Sequence, residues 1–217
     1  MNVEDITTRV QRLFGDEAGV QIDTTDMIRW INDGVRTILY GNESLLQKIG
    51  TADAVVNQSQ YDLPADCLIL RSINYMGAGD SSYLKLKGLT LNEFDEYMNG
   101  WDGGVYGTGT PIVFMVYADK ITLFPTPDSS QLQAIKIYYN RAPVDVVDNS
   151  STPDIPTIYH EALVKYCMQQ AYELDEDTDA TALKEKQFVD DVRLLRGRSE
   201  WKAQDTYPMI TVLSDDM

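Results

Sequence analysis

The chain has one histidine, and His160-Glu161 opens like the H-E-x-x-H pair that holds a catalytic zinc on one helix face. The position that should carry the second histidine is Val164. A single imidazole cannot build a histidine-based zinc site, and no Ser-His-Asp relay is in view, so His160 reads as a structural or surface residue. Asp175, Asp177 and Asp179 copy the first three ligands of an EF-hand loop. Ala180 stands where the sharp turn needs glycine, and Lys186 where a bidentate glutamate should close the shell. These aspartates read instead as an acidic turn between helices. The glycine-rich stretch 100–109 lacks the Gly-Lys-Ser/Thr ending and following helix of a phosphate loop, so it reads as a loop tip. Cys67 and Cys167 belong to no C-x-x-C pair and read as free, buried thiols. Carboxylates are too numerous for one pair to be singled out as general acid and base. The chain is therefore expected to be no enzyme, with no metal and no cofactor.

The acidity itself is informative. Thirty-four Asp and Glu against 18 Lys and Arg give a net charge of −16. That excludes a broad face gripping nucleic-acid phosphates, which relies on Lys and Arg. It leaves two readings: solubility through self-repulsion, or a surface that passes close to DNA without adhering. Against this background Lys184, Lys186, Arg193, Arg196, Arg198 and Lys202 gather near the C-terminal end. They could complement a helix dipole and be solvated. They could equally form a docking face for an acidic neighbouring subunit, or lie near DNA phosphates; Arg193, Arg196, Arg198 and Lys202 are the candidates. Trp201, Tyr207 and Met209 follow, large side chains on a segment too short to bury them itself.

The elements follow from periodicity. Val3, Ile6, Val10 and Leu13 form a helical stripe with Asn2 as N-cap and Gly15 as stop. Asp23 and Asp26 suggest capping of a second helix, whose apolar face is Ile28, Ile31, Val35, Ile38 and Leu39, ending at Gly41-Asn42. From residue 51 the period becomes two. Ala54-Val55-Val56 and Gln60-Tyr61-Asp62-Leu63 around Asn57-Gln58-Ser59 predict a hairpin. Further strands are predicted over 67–75, 83–87, 112–117, 121–124 and 134–139, with Ala118-Asp119-Lys120 as a turn and a short helix opened by a Thr90/Glu93 capping box. A polar linker over 145–156 returns the chain to helix. Ile158, Tyr159, Ala162, Leu163, Tyr166, Cys167, Ala171 and Leu174 form one stripe; Leu183, Phe188, Val192 and Leu195 mark a last helix ending near Gly197.

This organisation predicts an α+β fold. Residues 1–50 and 156–199 supply an antiparallel helical bundle formed by both chain ends. Residues 51–155 form an inserted, mostly antiparallel β domain, and 200–217 an extended C-terminal tail. No apolar run approaches the roughly 20 residues of a membrane span, and Met1-Asn2-Val3-Glu4-Asp5 is acidic where a secretory signal is basic, so a soluble, cytoplasmic start is expected.

Asp5-Ile6 through Leu13 with Gly15-Asp16-Glu17, and Asp26-Met27-Ile28-Arg29-Trp30-Ile31-Asn32, resemble the opening helices of the head-to-tail adaptor (connector) proteins of tailed bacteriophages. Gln60-Tyr61-Asp62-Leu63-Pro64-Ala65-Asp66 and Leu123-Phe124-Pro125-Thr126-Pro127 are similar to their β region, and Pro153-Asp154-Ile155-Pro156 before Tyr159-His160-Glu161-Ala162-Leu163 to their return into the bundle. The resemblance implies a structural virion protein at the head-tail interface, assembled in the host cytoplasm. It would be a dodecameric ring below the portal that extends the DNA channel and offers the tail an attachment platform. The implied partners are the portal protein, copies of the chain itself, downstream neck or tail proteins, and DNA passing without specific binding; no membrane is implied. The C-terminal segment would reach the portal, with Trp201, Tyr207, Pro208, Ile210, Val212 and Leu213 as contacts. Two other readings stay open: another neck or tail-tube component, and an acidic DNA mimic inhibiting a host nucleic-acid-binding protein.

Overall fold

The computed structural model describes residues 1–40, 42–99 and 107–200. It is a mixed α+β chain divided into two compact units, Met1–Leu45 with Pro143–Met217, and Leu46–Ala142.

In the first unit, α1 (Val3–Phe14) starts where Asn2 Oδ1 accepts the Asp5 amide at 2.8 Å and the Asp5 carboxylate accepts the Asn2 amide at 3.1 Å. Two otherwise unpaired donors are thereby satisfied reciprocally. The helix ends at Gly15, whose φ of 94° is open to glycine at no steric cost. The next loop is organised by Asp16, whose carboxylate accepts the amides of Val20, Gln21 and Ile22 at 2.8–2.9 Å. These bonds, that from Ile22 first, hold the Asp16 carboxyl below its ordinary range. Helix α2 (Thr24–Leu39) begins after Asp23, but the expected side-chain cap is not made. α4 (His160–Leu174) and α5 (Thr178–Glu200) complete the unit, α5 running past Gly197.

α1, α2 and α4 enclose a core of Val3, Ile6, Val10, Met27, Ile31, Val35, Ile38, Tyr159, Leu163 and Cys167, with Phe188 added from α5. Gly34 lets α2 approach α4: a Cβ there would sit 2.5 Å from Leu163 Cδ1. The stretch 143–156 is not a solvated tether. Val146 and Ile155 are buried, and the Asn32 amide clamps Val146, donating to its carbonyl at 3.0 Å and accepting its N–H at 2.9 Å. The carbonyls of Ser151 and Asn149 accept the amides of Val3 and Glu4, supplying partners to the α1 N-terminus.

The second unit contains β1 (Gln47–Ala54), β2 (Gln60–Asp62), β3 (Cys67–Tyr75), β4 (Leu84–Lys85), β5 (Lys87–Leu89), α3 (Leu91–Asn99), β6 (Val113–Tyr117), β7 (Lys120–Phe124) and β8 (Gln131–Arg141). They form two four-stranded sheets, ordered β1-β8-β3-β4 and β2-β7-β6-β5. All pairs are antiparallel except β5 with β6. The predicted hairpin over 54–63 does not form, because β1 pairs with β8 and β2 with β7. Residues 55–59 instead carry the chain from one sheet to the other. The Tyr61 hydroxyl donates to the Gln58 carbonyl at 2.9 Å and accepts the Val55 amide at 3.1 Å, while Asn57 N–H reaches the Pro127 carbonyl. The tight turn at Ala118-Asp119 does form, with φ of 49° and 58°, the double left-handed conformation that matches strand twist. Both sheets share one core, built from Ile73, Tyr75, Ile135, Ile137 and Tyr139 on one side and Tyr61, Phe114, Ile121 and Leu123 on the other. The Thr90/Glu93 box caps α3 as expected, Thr90 N–H reaching Glu93 Oε2 at 2.8 Å. Phe94 of that helix meets Phe124 edge-on at 6.2 Å.

Candidate functional site

The single histidine is built into the fold. His160 is 1% exposed at the start of α4. Its Nδ1 lies 3.0 Å from the Met1 ammonium, which can only donate, so the ring proton is on Nε2, 3.4 Å from the Ile155 carbonyl. Val164, at the position a second zinc ligand would need, is a core residue. Desolvation first, then the Met1 ammonium, keeps the imidazole below its ordinary value of 6.5. A pH dependence follows with a definite sign. The unfolded chain takes up this proton as pH falls through 6.5 while the folded chain does not, so stability is present above 6.5 and is lost below it. Unfolding free energies from urea titrations are expected to fall between pH 7.5 and 5.5, by at most about 1.4 kcal/mol per pH unit for one proton. The slope should flatten in His160→Gln. An equal slope in that variant would assign the effect to other groups.

The acidic turn is likewise structural at one point. Asp177 caps α5, its Oδ1 accepting the Ala180 amide at 3.0 Å. Among the described residues, no three His, Cys, Asp or Glu side chains converge as a metal site. Burial pushes the Cys167 thiol well up, and Cys67 is also raised, mainly by desolvation. In the glycine-rich stretch the described end is pinned: Gly109 N–H donates to Thr126 O at 2.8 Å and Thr126 N–H to Gly107 O at 3.2 Å.

What remains are surfaces, and α5 carries the most distinctive one. Arg193 and Arg196 are exposed on it, as is Lys186. The Arg198 side chain, Lys202 and all six tail candidates (Trp201, Tyr207, Pro208, Ile210, Val212 and Leu213) lie outside the described residues. Lys184, grouped with the other cations in the sequence, sits partly buried on the side of the helix that carries Phe188. Leu183 was expected in the buried stripe with Phe188, Val192 and Leu195, but it is 54% exposed and points away. Five residues separate Leu183 from Phe188, which puts them about 140° apart around a helix. Val189 and Leu194, one and six residues from Phe188 and so about 100° and 120° from it around the helix, are exposed as well, which the sequence reading passed over. On the packing side, Phe188 tilts against Tyr166 at 5.2 Å and Lys165 of α4 pairs with Asp191.

The outer face of α5 thus mixes exposed cations with aliphatic side chains and follows a carboxylate-rich turn. The model of the SU10 adaptor protein family matches residues 1–209, and the chain belongs to that family. It is thus a bacteriophage adaptor-type protein of virion assembly, and membership implies contacts with other virion components and a non-enzymatic role. No curated protein sequence matches it. Among the described residues, no helix is long and apolar enough to cross a membrane.

Proposed function

We propose that this chain is a head-to-tail adaptor: a dodecameric ring attached below the portal at the head-tail interface, extending the DNA channel and giving the tail its platform. The observation that carries this reading is the adaptor-family match over nearly the whole chain. In the proposal, helices from both chain ends form an antiparallel bundle as the ring body, the β-rich insertion presents its loops to the outside or the tail, and residues 200–217 dock on the portal. Trp201, Tyr207, Pro208, Ile210, Val212 and Leu213 are the proposed portal contacts. The net charge of −16 supports a channel wall along which DNA moves without long-lived phosphate contacts. Assembly takes place in the host cytoplasm.

The test is electron microscopy of the purified protein mixed with its cognate portal. The expected result is a portal ring extended by a layer of matching symmetry; a bare portal would sink the reading. Deleting residues 200–217 should leave the far-ultraviolet circular dichroism of the helices nearly unchanged and abolish portal binding. Unimpaired binding by the truncated chain would remove the portal-docking role from this segment.

A further inference from the structure

Lys186, Val189, Arg193 and Arg196 recur at three- and four-residue steps along α5, so they share about a quarter of the helix circumference over about 15 Å of axis. All four are exposed. Val189 is 53% accessible, and Leu183 and Leu194, at 54% and 64%, run alongside the row. Neither Lys186 nor Arg193 forms an ion pair among the described residues. Dipole complementation accounts for cations late in a helix but not for three aliphatic side chains left beside them in water.

The complementary surface is on the same unit. Residues 173–179 form an uninterrupted exposed run holding Glu173, Asp175, Glu176, Asp177 and Asp179, with Leu174 beside them at 58% accessibility. Within one copy the two surfaces do not neutralise each other directly. Along α5 even Asp179 and Lys186 are separated by about 10 Å of axis, beyond ion-pair distance. We infer that the outer face of α5, centred on Lys186, Val189 and Arg193, is a copy-to-copy interface that receives the acidic α4–α5 turn of a second copy of this chain. Two different patches of one chain then meet, a heterologous contact that closes into a ring when the rotation permits. The aliphatic side chains favour a protein occupant over phosphates, and a second copy supplies both the carboxylates and a leucine to meet them. This inference rests on the ring reading proposed above and assigns its contact.

The test reverses each side separately. One variant carries Lys186→Glu with Arg193→Glu, the other Glu173→Lys with Asp175→Lys and Glu176→Lys, which turns the five-carboxylate run net positive; all five side chains are exposed, and circular dichroism checks folding. Each is mixed with cognate portal and imaged, alone and as an equimolar pair. Alone, each variant places like charges across every contact, and the concentration needed to build the layer should rise on the order of a hundredfold. Mixed, the two can alternate around a ring with every contact complementary again, so the layer should return. A normal layer from either variant alone, or no recovery in the mixture, overturns the interface while a wild-type layer keeps the adaptor reading intact. Failure of the wild type to form a layer overturns the adaptor reading and the interface with it. Duplex DNA binding by the wild type that Lys186→Glu with Arg193→Glu abolishes would reassign the face to phosphates.

Discussion

Gly34→Val is expected to leave the helical unit unfolded near physiological temperature, and Gly34→Ala to fold with stability lowered by roughly 2 kcal/mol. Helix propensity alone predicts the reverse for alanine, a gain of about 1 kcal/mol in a helix interior. Packing decides against it. An added Cβ would meet Leu163 Cδ1 at 2.5 Å, Tyr166 Cδ1 at 2.8 Å and Tyr166 Cγ at 3.3 Å. Leu163 has no accessible surface, and the Tyr166 ring lies against Phe188 at 5.2 Å, so neither neighbour can retreat without moving a third. Overpacking of this kind costs about 1–3 kcal/mol for a methyl group, and valine adds two further carbons and a stiff χ1. Urea denaturation followed by circular dichroism measures the effect, and Gly34→Ala/Leu163→Ala supplies a control. Leucine truncation opens space for the new Cβ, so the double variant should be more stable than the sum of the single changes predicts. A Gly34→Ala protein more stable than the parent would mean that α2 and α4 are not in tight contact.

Gly34 also shows which parts of this structure were legible in the sequence. Some element ends set by local chemistry were: Asn2 and Gly15 bound α1, and Thr90 with Glu93 opens α3, because each device satisfies backbone groups within a few residues, whereas the expected Asp23 cap is not made and α5 runs through the expected stop at Gly197. The tight Ala118-Asp119 turn was legible for the same reason. What depends on distant partners was not. Nothing near Gly34 announces that Leu163 and Tyr166 will need its missing side chain. The alternation around residue 57 was real, but the strand that pairs with β1 begins at Gln131, and alternation names no partner. The polar composition of 145–156 concealed Val146 and Ile155, whose burial depends on Asn32 from α2. One histidine cannot build a histidine zinc site wherever it lies in the fold. The surface of α5 was half legible: the cations were evident, but a five-residue step was read as part of one stripe, and the aliphatic character of the outer face was missed.

That outer face depends on a narrow attachment. Although α5 is 23 residues long, Phe188 is its one fully buried apolar side chain among the described residues; Val192 and Leu195 are only partly covered. The Lys165–Asp191 pair beside it is about one-third exposed on both sides and contributes at most about 1 kcal/mol. Phe188→Ala is therefore expected to cost roughly 3–4 kcal/mol through lost burial and a residual cavity against Tyr166. The loss should be concentrated in one helix. Amides of α5 should lose hydrogen-exchange protection well before those of α1 and α2, whose core residues Val3, Ile6, Ile31 and Ile38 do not depend on it. Phe188→Leu retains an apolar side chain of similar volume and should cost about 1 kcal/mol. If the α5 face joins copies, Phe188→Ala must weaken layer formation on the portal even though Lys186 and Arg193 are untouched, because a frayed helix cannot hold its cations and Val189 in one row. Uniform loss of protection across all four helices would instead make α5 part of a single cooperative unit, and weakened assembly would then report global unfolding rather than the loss of one face.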